Sequence, residues 1–252
     1  MDCDFGPLNI STVTGTVSIG KFVTDLNALF SRAEPGPTIV SLRAPDGRSA
    51  KPLASMPCAS KMVGEHIAVV VRLRSRPTAA CHAKLFSNGT IHVTGARSSA
   101  EVEEAGRLLA DALDIGTGGA FDVRTRMVNA HFRQSSNISR KALVDYICSR
   151  TKLKATFEPS ISVEARVHFC FDARTAADPN ALSEHDGHCA CPSSCAFAPS
   201  RLRRCYRVIG IVHRTGTIMM SGSGTEAHLR RATELMKQAI LAANRDQIRS
   251  LT

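Results

Sequence analysis

Two stretches of the chain carry the same order of apolar and polar positions. Phe86 to Leu113 reads FSNGTIHVTGARSSAEVEEAGRLLADAL, and His213 to Ile240 reads HRTGTIMMSGSGTEAHLRRATELMKQAI. They align without a gap at an offset of 127 residues. Gly89, Thr90 and Ile91 meet Gly216, Thr217 and Ile218, and Gly95 meets Gly222. Val102, Ala105, Leu108, Leu109 and Leu113 meet Leu229, Ala232, Leu235, Met236 and Ile240.

Each copy predicts the same local structure. Asn88-Gly89 and Thr215-Gly216 are hairpin signals. Short strands follow over 90–94 and 217–221, and Gly95 or Gly222 breaks each. Ser98 or Ser99 caps the next helix, with Glu101 and Glu103 near its positive end. In that helix Val102, Ala105, Leu108, Leu109 and Leu113 share one face at spacings of three and four, and Glu101, Glu104, Arg107 and Asp111 face water. The second helix is more basic outside, with His228, Arg230, Arg231 and Lys237.

The fronts of the halves match more loosely. Residues 13–19, VTGTVSI, read as a strand and 24–30 as a short helix. Residues 121–132 are a strand candidate, and 139–148 a helix with Ser139 as its cap. The run 67–73, IAVVVRL, has a counterpart in 161–171, ISVEARVHFCF. Each half then runs strand, short helix, several antiparallel strands, long helix. Helices cover one face of such a sheet and leave the other free. The expected class is α+β. The expected domains are 1–119, with an inserted loop at 33–63, and 120–252, with a Cys/His-rich insert at 172–199. The first insert is rich in Pro, Gly, Ser and Ala and reads as a loop or disordered segment. The GTGG run at 116–119 reads as a link between the halves.

Charge narrows the partners. Lys and Arg exceed Asp and Glu by 32 to 22, a net charge of +10. A polyanionic partner is one reading of that excess, and a merely basic surface is the other. No run is long and apolar enough to span a bilayer, and the acidic start MDCDFGPLNI does not read as a signal peptide. The nine cysteines, an odd number, point to an intracellular chain with free thiols or a metal site. Aromatic residues are too sparse for a broad base-stacking platform. No Gly-rich phosphate loop ends in Lys-Ser or Lys-Thr, and no acidic pair forms a recognisable motif, so an enzyme is not expected.

His185, His188, Cys191 and Cys195 lie in the run HDGHCACPSSC. Two nitrogen and two sulfur donors suffice for a structural zinc, which would organise a segment with little apolar content. A surface loop with reduced thiols is the alternative.

The layout resembles the TATA-box-binding protein family, whose core is a pseudo-symmetric saddle. LFSNGTIHVTGAR at 85–97 is the strongest match, close to the family's Phe-Ser-Ser-Gly and Thr-Gly-Ala-Lys signature. VTGTVSIGKFVTDLNALF at 13–30 resembles its first strand and helix. VVVRLR at 69–74, followed by Pro77-Thr78, resembles its arginine-bearing strand. Met127-Val128 resembles the opening of its second repeat, and Phe157-Glu158-Pro159 its Tyr-Glu-Pro turn. The resemblance implies a curved antiparallel sheet with helices on the convex side. Its concave face would bind duplex DNA for transcription initiation, and transcription factors or polymerase machinery would dock on the helices.

Carried over by position, Phe86 matches one of four phenylalanine wedges that open base steps. The others fall near His66 or Ile67, Ser162 and His213, with Phe157 or Phe169 as substitutes. The family's groove-centre asparagines fall near Thr12 and Arg126, while Asn9 and Asn129 lie close by. Arg72, Arg74 and Arg97 sit at basic positions of the first half, and Arg124, Arg126 and Arg133 would serve the second. The loss of wedges leaves a second reading open: a scaffold kept for protein–protein or virion-structural contact. The inserts and the divergent site point to a distant viral or protist homologue, in a nucleus, viral factory or virion.

Overall fold

Strand formation follows the period-two pattern closely. A computed structural model of the protein describes residues 4–20, 22–45, 50–52, 65–115, 121–172, 179–188 and 205–249. In chain order the elements are β1 (Asn9–Ser18), α1 (Leu26–Arg32), β2 (Ile39–Arg43), β3 (Ala50–Pro52), β4 (His66–Arg72), β5 (Ala80–Phe86), β6 (Thr90–Ala96) and α2 (Ser99–Ala112). Then come β7 (Asp122–Arg133), α3 (Arg140–Arg150), β8 (Lys154–Thr156), β9 (Ala165–Asp172), α4 (Pro179–Glu184), β10 (Cys205–Val212), β11 (Thr217–Gly222) and α5 (Glu226–Arg249).

The chain divides into two units, one of Thr12–Arg126 and one of Met1–Ser11 with Met127–Thr252. In the first, antiparallel strands run in the order β3-β2-β4-β5-β6-β1. Ile67, Val69 and Val71 of β4, Cys81, Ala83 and Leu85 of β5, and Ile91 and Val93 of β6 are buried with Val102, Ala105, Leu108 and Leu109 of α2. In the second unit the order is β7-β11-β10-β9-β8. There Phe132, Val167, Phe169, Phe171, Val208 and Ile218 are buried with Leu143 and Ile147 of α3 and Leu229, Met236 and Ile240 of α5. The N-terminal stretch is fastened to this unit: the Gly6 amide donates to the Arg133 carbonyl at 2.8 Å, and Phe5 meets Phe132 edge-on at 6.0 Å.

Several local expectations hold. Gly89 and Gly216 take positive φ at the two hairpin turns. Ser98 accepts from the Glu101 amide, and Ser139 from the Ala142 amide, as helix N-caps.

Others need correction. β6 continues through Gly95 to Ala96. Segment 33–63 is not simply a loop, because it contains β2, with Ile39, Val40 and Leu42 buried, and β3. Its loop-like composition hid a five-residue strand, IVSLR, with three apolar residues. Glu101 and Glu104 do not simply face water. Glu104 accepts from the Arg74 and Ser75 amides at 2.6 and 3.0 Å, and Glu101 pairs with Arg76 at 2.9 Å. The two carboxylates staple the β4–β5 turn to α2.

The α+β class stands, but the curved saddle does not: in neither unit does the sheet close on itself or curl strongly. No described helix is long and apolar enough to cross a membrane.

One turn is sterically exacting. A Cβ on Gly216, at φ +85°, would lie 2.4 Å from the Gln134 carbonyl oxygen and 2.8 Å from that of Ser136. Gly20, at φ +72°, has nothing within 4 Å of the same position. Gly216→Ala is therefore expected to destabilise by about 3 kcal/mol or more, and Gly20→Ala by only about 1 kcal/mol. Urea unfolding of both variants checks this, and equal losses would show that the Gly216 contact is relieved by backbone movement.

Candidate functional site

In both units the side chains left uncovered by helices alternate with the buried ones. On the Thr12–Arg126 unit the cross-strand pairs on this open face include Arg43↔Ala68, Ala68↔Lys84, Val70↔His82, His66↔Phe86, Lys84↔His92 and Thr16↔His92. Arg126 joins them by donating to Thr16 Oγ1 at 3.1 Å. No face-pointing position of β2, β4, β5 or β6 holds an acid. Burial, then Lys84, holds the His66 imidazole below its ordinary pKa; burial, then Arg126 and Lys84, does the same for His92.

Phe86 is the centre of a stack on this face. It is half-buried, with the His66 and His92 rings each 5.2 Å from its own. His66 is itself buried, and its Nδ1 has no hydrogen-bond partner among the described residues.

The open face of the other unit is more mixed. Ile209 and Ile211 lie beside Ser221 and Met219, and Met219 is exposed. Around this apolar strip stand His131 opposite Met219, Arg133 opposite Thr217, Arg166 opposite Thr156 and Ile211, and His168 opposite Lys154 and Ile209. Asn129 accepts from Ser221 Oγ at 2.6 Å. Burial, followed by Arg207, Arg166 and Lys154, lowers the His168 pKa.

This chain's fold is similar to that of Methanococcus jannaschii TBP. The TM-score is 0.53 at 16% identity, covering 94% of this chain and 99% of that one. No known protein-family profile matches the chain, and no curated protein does. The likeness extends to the fold alone.

Set against a TBP-like scaffold, the candidate residues disperse. Arg72, Phe86 and Arg126 share the open face of the first unit, and Arg133 lies on that of the second. Thr12 is half-buried in β1, and Arg124 is exposed and paired with Asp122 at 2.7 Å. Arg74 and Arg97 sit instead beside α2, their amides bound by Glu104 and Glu101. His213 is in the β10–β11 turn, its amide donating to the Thr217 carbonyl at 3.0 Å. The substitute wedges are engaged: Phe169 is fully buried, and Phe157 lies 4.7 Å beneath the Arg140 guanidinium.

The expectation of a concave sheet that binds duplex DNA for transcription initiation is thus corrected. The sheet is not strongly curled, so it does not offer the concave surface that bending requires. Of the histidines on the open faces, His66 is named at the sequence level, but His82, His92, His131 and His168 are not. Their signal was the alternation in CHAKLF at 81–86, which places His82, Lys84 and Phe86 together.

The metal candidates are partly visible. His185 accepts from the Gly187 amide at 2.8 Å through Nδ1, and His188 Nδ1 contacts the Asp186 carboxylate. Their rings are 6.4 Å apart. Cys191 and Cys195 lie outside the described residues. Among the described residues no group of three or more His, Cys, Asp or Glu side chains is placed to hold a metal.

His228, expected on the outside of α5, is fully buried between Tyr206 (4.8 Å) and Phe171 (5.5 Å). Its Nδ1 accepts from the Thr225 amide at 3.1 Å, and its Nε2 has no partner among the described residues. Burial, helped by His185, lowers its pKa to about 4. Above the ordinary value of 6.5 the imidazole is neutral in both folded and unfolded chains. As pH falls below that, the unfolded chain takes up the proton and the folded chain does not, until about pH 4. Stability is expected to drop by about 3 kcal/mol across that window through this residue alone. Urea midpoints at pH 7.5, 6, 5 and 4.5 check the slope, which His228→Phe should flatten. An unchanged slope in that variant would place the acid sensitivity elsewhere.

Proposed function

We propose that the chain is a non-enzymatic interaction scaffold on a TBP-like fold, engaging protein partners without bending duplex DNA. One observation carries this reading: neither unit's sheet curls strongly enough to form a concave DNA seat. The fixed position of Phe86 agrees with it. A wedge must leave the protein surface and enter a base step, and the gain from a bent duplex offsets the cost of unstacking. Phe86 would first have to leave both imidazoles. Each unit has its own core and a face left open, and a fold of this kind persists while its site changes.

The test is a pair of measurements on the full chain. With an end-labelled A·T-rich duplex, energy transfer between the ends is expected to stay unchanged at saturating protein, and Phe86→Ala is expected to make no difference. In the native source, cross-links to a defined second protein are expected to survive nuclease treatment. A salt-resistant rise in energy transfer that Phe86→Ala abolishes would overturn the reading.

A further inference from the structure

Within the unit that contains Met127–Thr252, a cavity of about 450 Å³ lies where α3, α5 and the β10–β11 turn meet. Arg140 and Lys141 of α3 line one side, Arg214 of the turn another, and Asn244 and Gln247 of α5 a third. Phe157, just beyond β8, adds an apolar wall. The walls are held in place by contacts of their own. The Ile138 amide donates to the Arg214 carbonyl at 3.1 Å, which ties the turn to the start of α3, and Ile138 is buried. The Arg140 guanidinium sits 4.7 Å over the Phe157 ring and donates to the Val163 carbonyl.

The described residues that line this cavity include two guanidiniums and an ammonium, and no carboxylate. The neighbouring acids are occupied or turned away. Asp145 pairs with Lys141 at 2.7 Å, and Glu158 accepts from Ser160 Oγ at 2.8 Å. Asp246 falls off the helix face that Asn244 and Gln247 share at a spacing of three. Among the described residues neither Arg140 nor Arg214 has a carboxylate partner. A carbonyl acceptor leaves the charge of Arg140 intact, and the Lys141–Asp145 pair is exposed and therefore weak.

Guanidiniums match the oxygens of a phosphate group in a forked geometry, and an ammonium adds a point charge. The volume is that of a small-ligand pocket, a class that runs from about 300 to 1,000 Å³. It leaves room for an organic body beside the anion. We infer that this cavity binds a small phosphate monoester, with Arg140 and Arg214 on the phosphate and Phe157 against the organic part. The site goes beyond the scaffold reading and does not depend on it.

The test is calorimetric titration of the full chain with phenyl phosphate at pH 8, where a monoester is a dianion. Benzoate, at matched ionic strength, is the comparison. Phenyl phosphate is expected to bind, and benzoate to bind about tenfold more weakly or not at all. Arg214→Gln is expected to weaken phenyl phosphate about tenfold. Its side chain is exposed, and the carbonyl that anchors the turn is kept, so the fold should survive, as circular dichroism would show. Arg230→Gln, which removes an equal charge from α5 where it pairs with Glu226, should leave binding unchanged. No binding by calorimetry and by ligand-observed NMR, equal affinity for benzoate, or an equal loss in Arg230→Gln would each overturn the inference. A phosphoserine peptide that binds more than about tenfold tighter than phenyl phosphate would overturn it as well, because it would assign the cavity to a modified protein side chain.

Discussion

A β-strand sends successive side chains to opposite faces, and in each unit helices cover only one of them. Almost everything about this protein depends on that asymmetry. The covered positions are Ile, Val, Leu, Phe and Ala, and they bury the apolar surface that pays for folding. The other set is released from packing, so its composition records what the surface meets. Here it holds histidine, lysine and arginine, with the exposed Met127 and Met219 and two half-buried isoleucines on the second unit.

The same constraint explains why likeness of fold and likeness of site separate. The buried set determines whether a TBP-like scaffold forms, and it tolerates many apolar exchanges of similar volume. Nothing in it dictates the composition of the open face. On that face Phe86 is held between two imidazoles, and the other candidate wedges are buried or engaged elsewhere. A sheet without strong curl completes the difference. The arginines expected to act together follow a similar division: Arg72 and Arg126 reach the open face, whereas the backbones of Arg74 and Arg97 are tied to carboxylates of α2.

Acid sensitivity arises from the two sides for different reasons. His228 is buried in an apolar, aromatic setting, where a proton would have no compensating partner, and it opposes acidification through stability. His92 lies on the open side, where burial and then Arg126 and Lys84 hold its imidazole below its ordinary pKa. Burial against Phe171 and Tyr206 makes His228 a structural group.

The sequence by itself determined the duplication, the two hairpin turns, the Ser98 and Ser139 caps and the apolar stripe of α2. Each of these is local: a glycine at positive φ, a hydroxyl three residues ahead of an amide, or a spacing of three and four. It did not reveal β2 and β3, because a short strand inside a Pro- and Gly-rich stretch is stabilised by the β4 edge rather than by its own composition. Nor did it reveal that Glu101 and Glu104 bind the β4–β5 turn, that His228 is buried, or that Phe86 is sandwiched. Those contacts join residues as distant as His66 and Phe86, or Arg74 and Glu104, and only strand register and helix docking bring them together. Curvature likewise belongs to the tertiary structure. It is the sum of twist and packing over many strands, and no single residue in the chain encodes it.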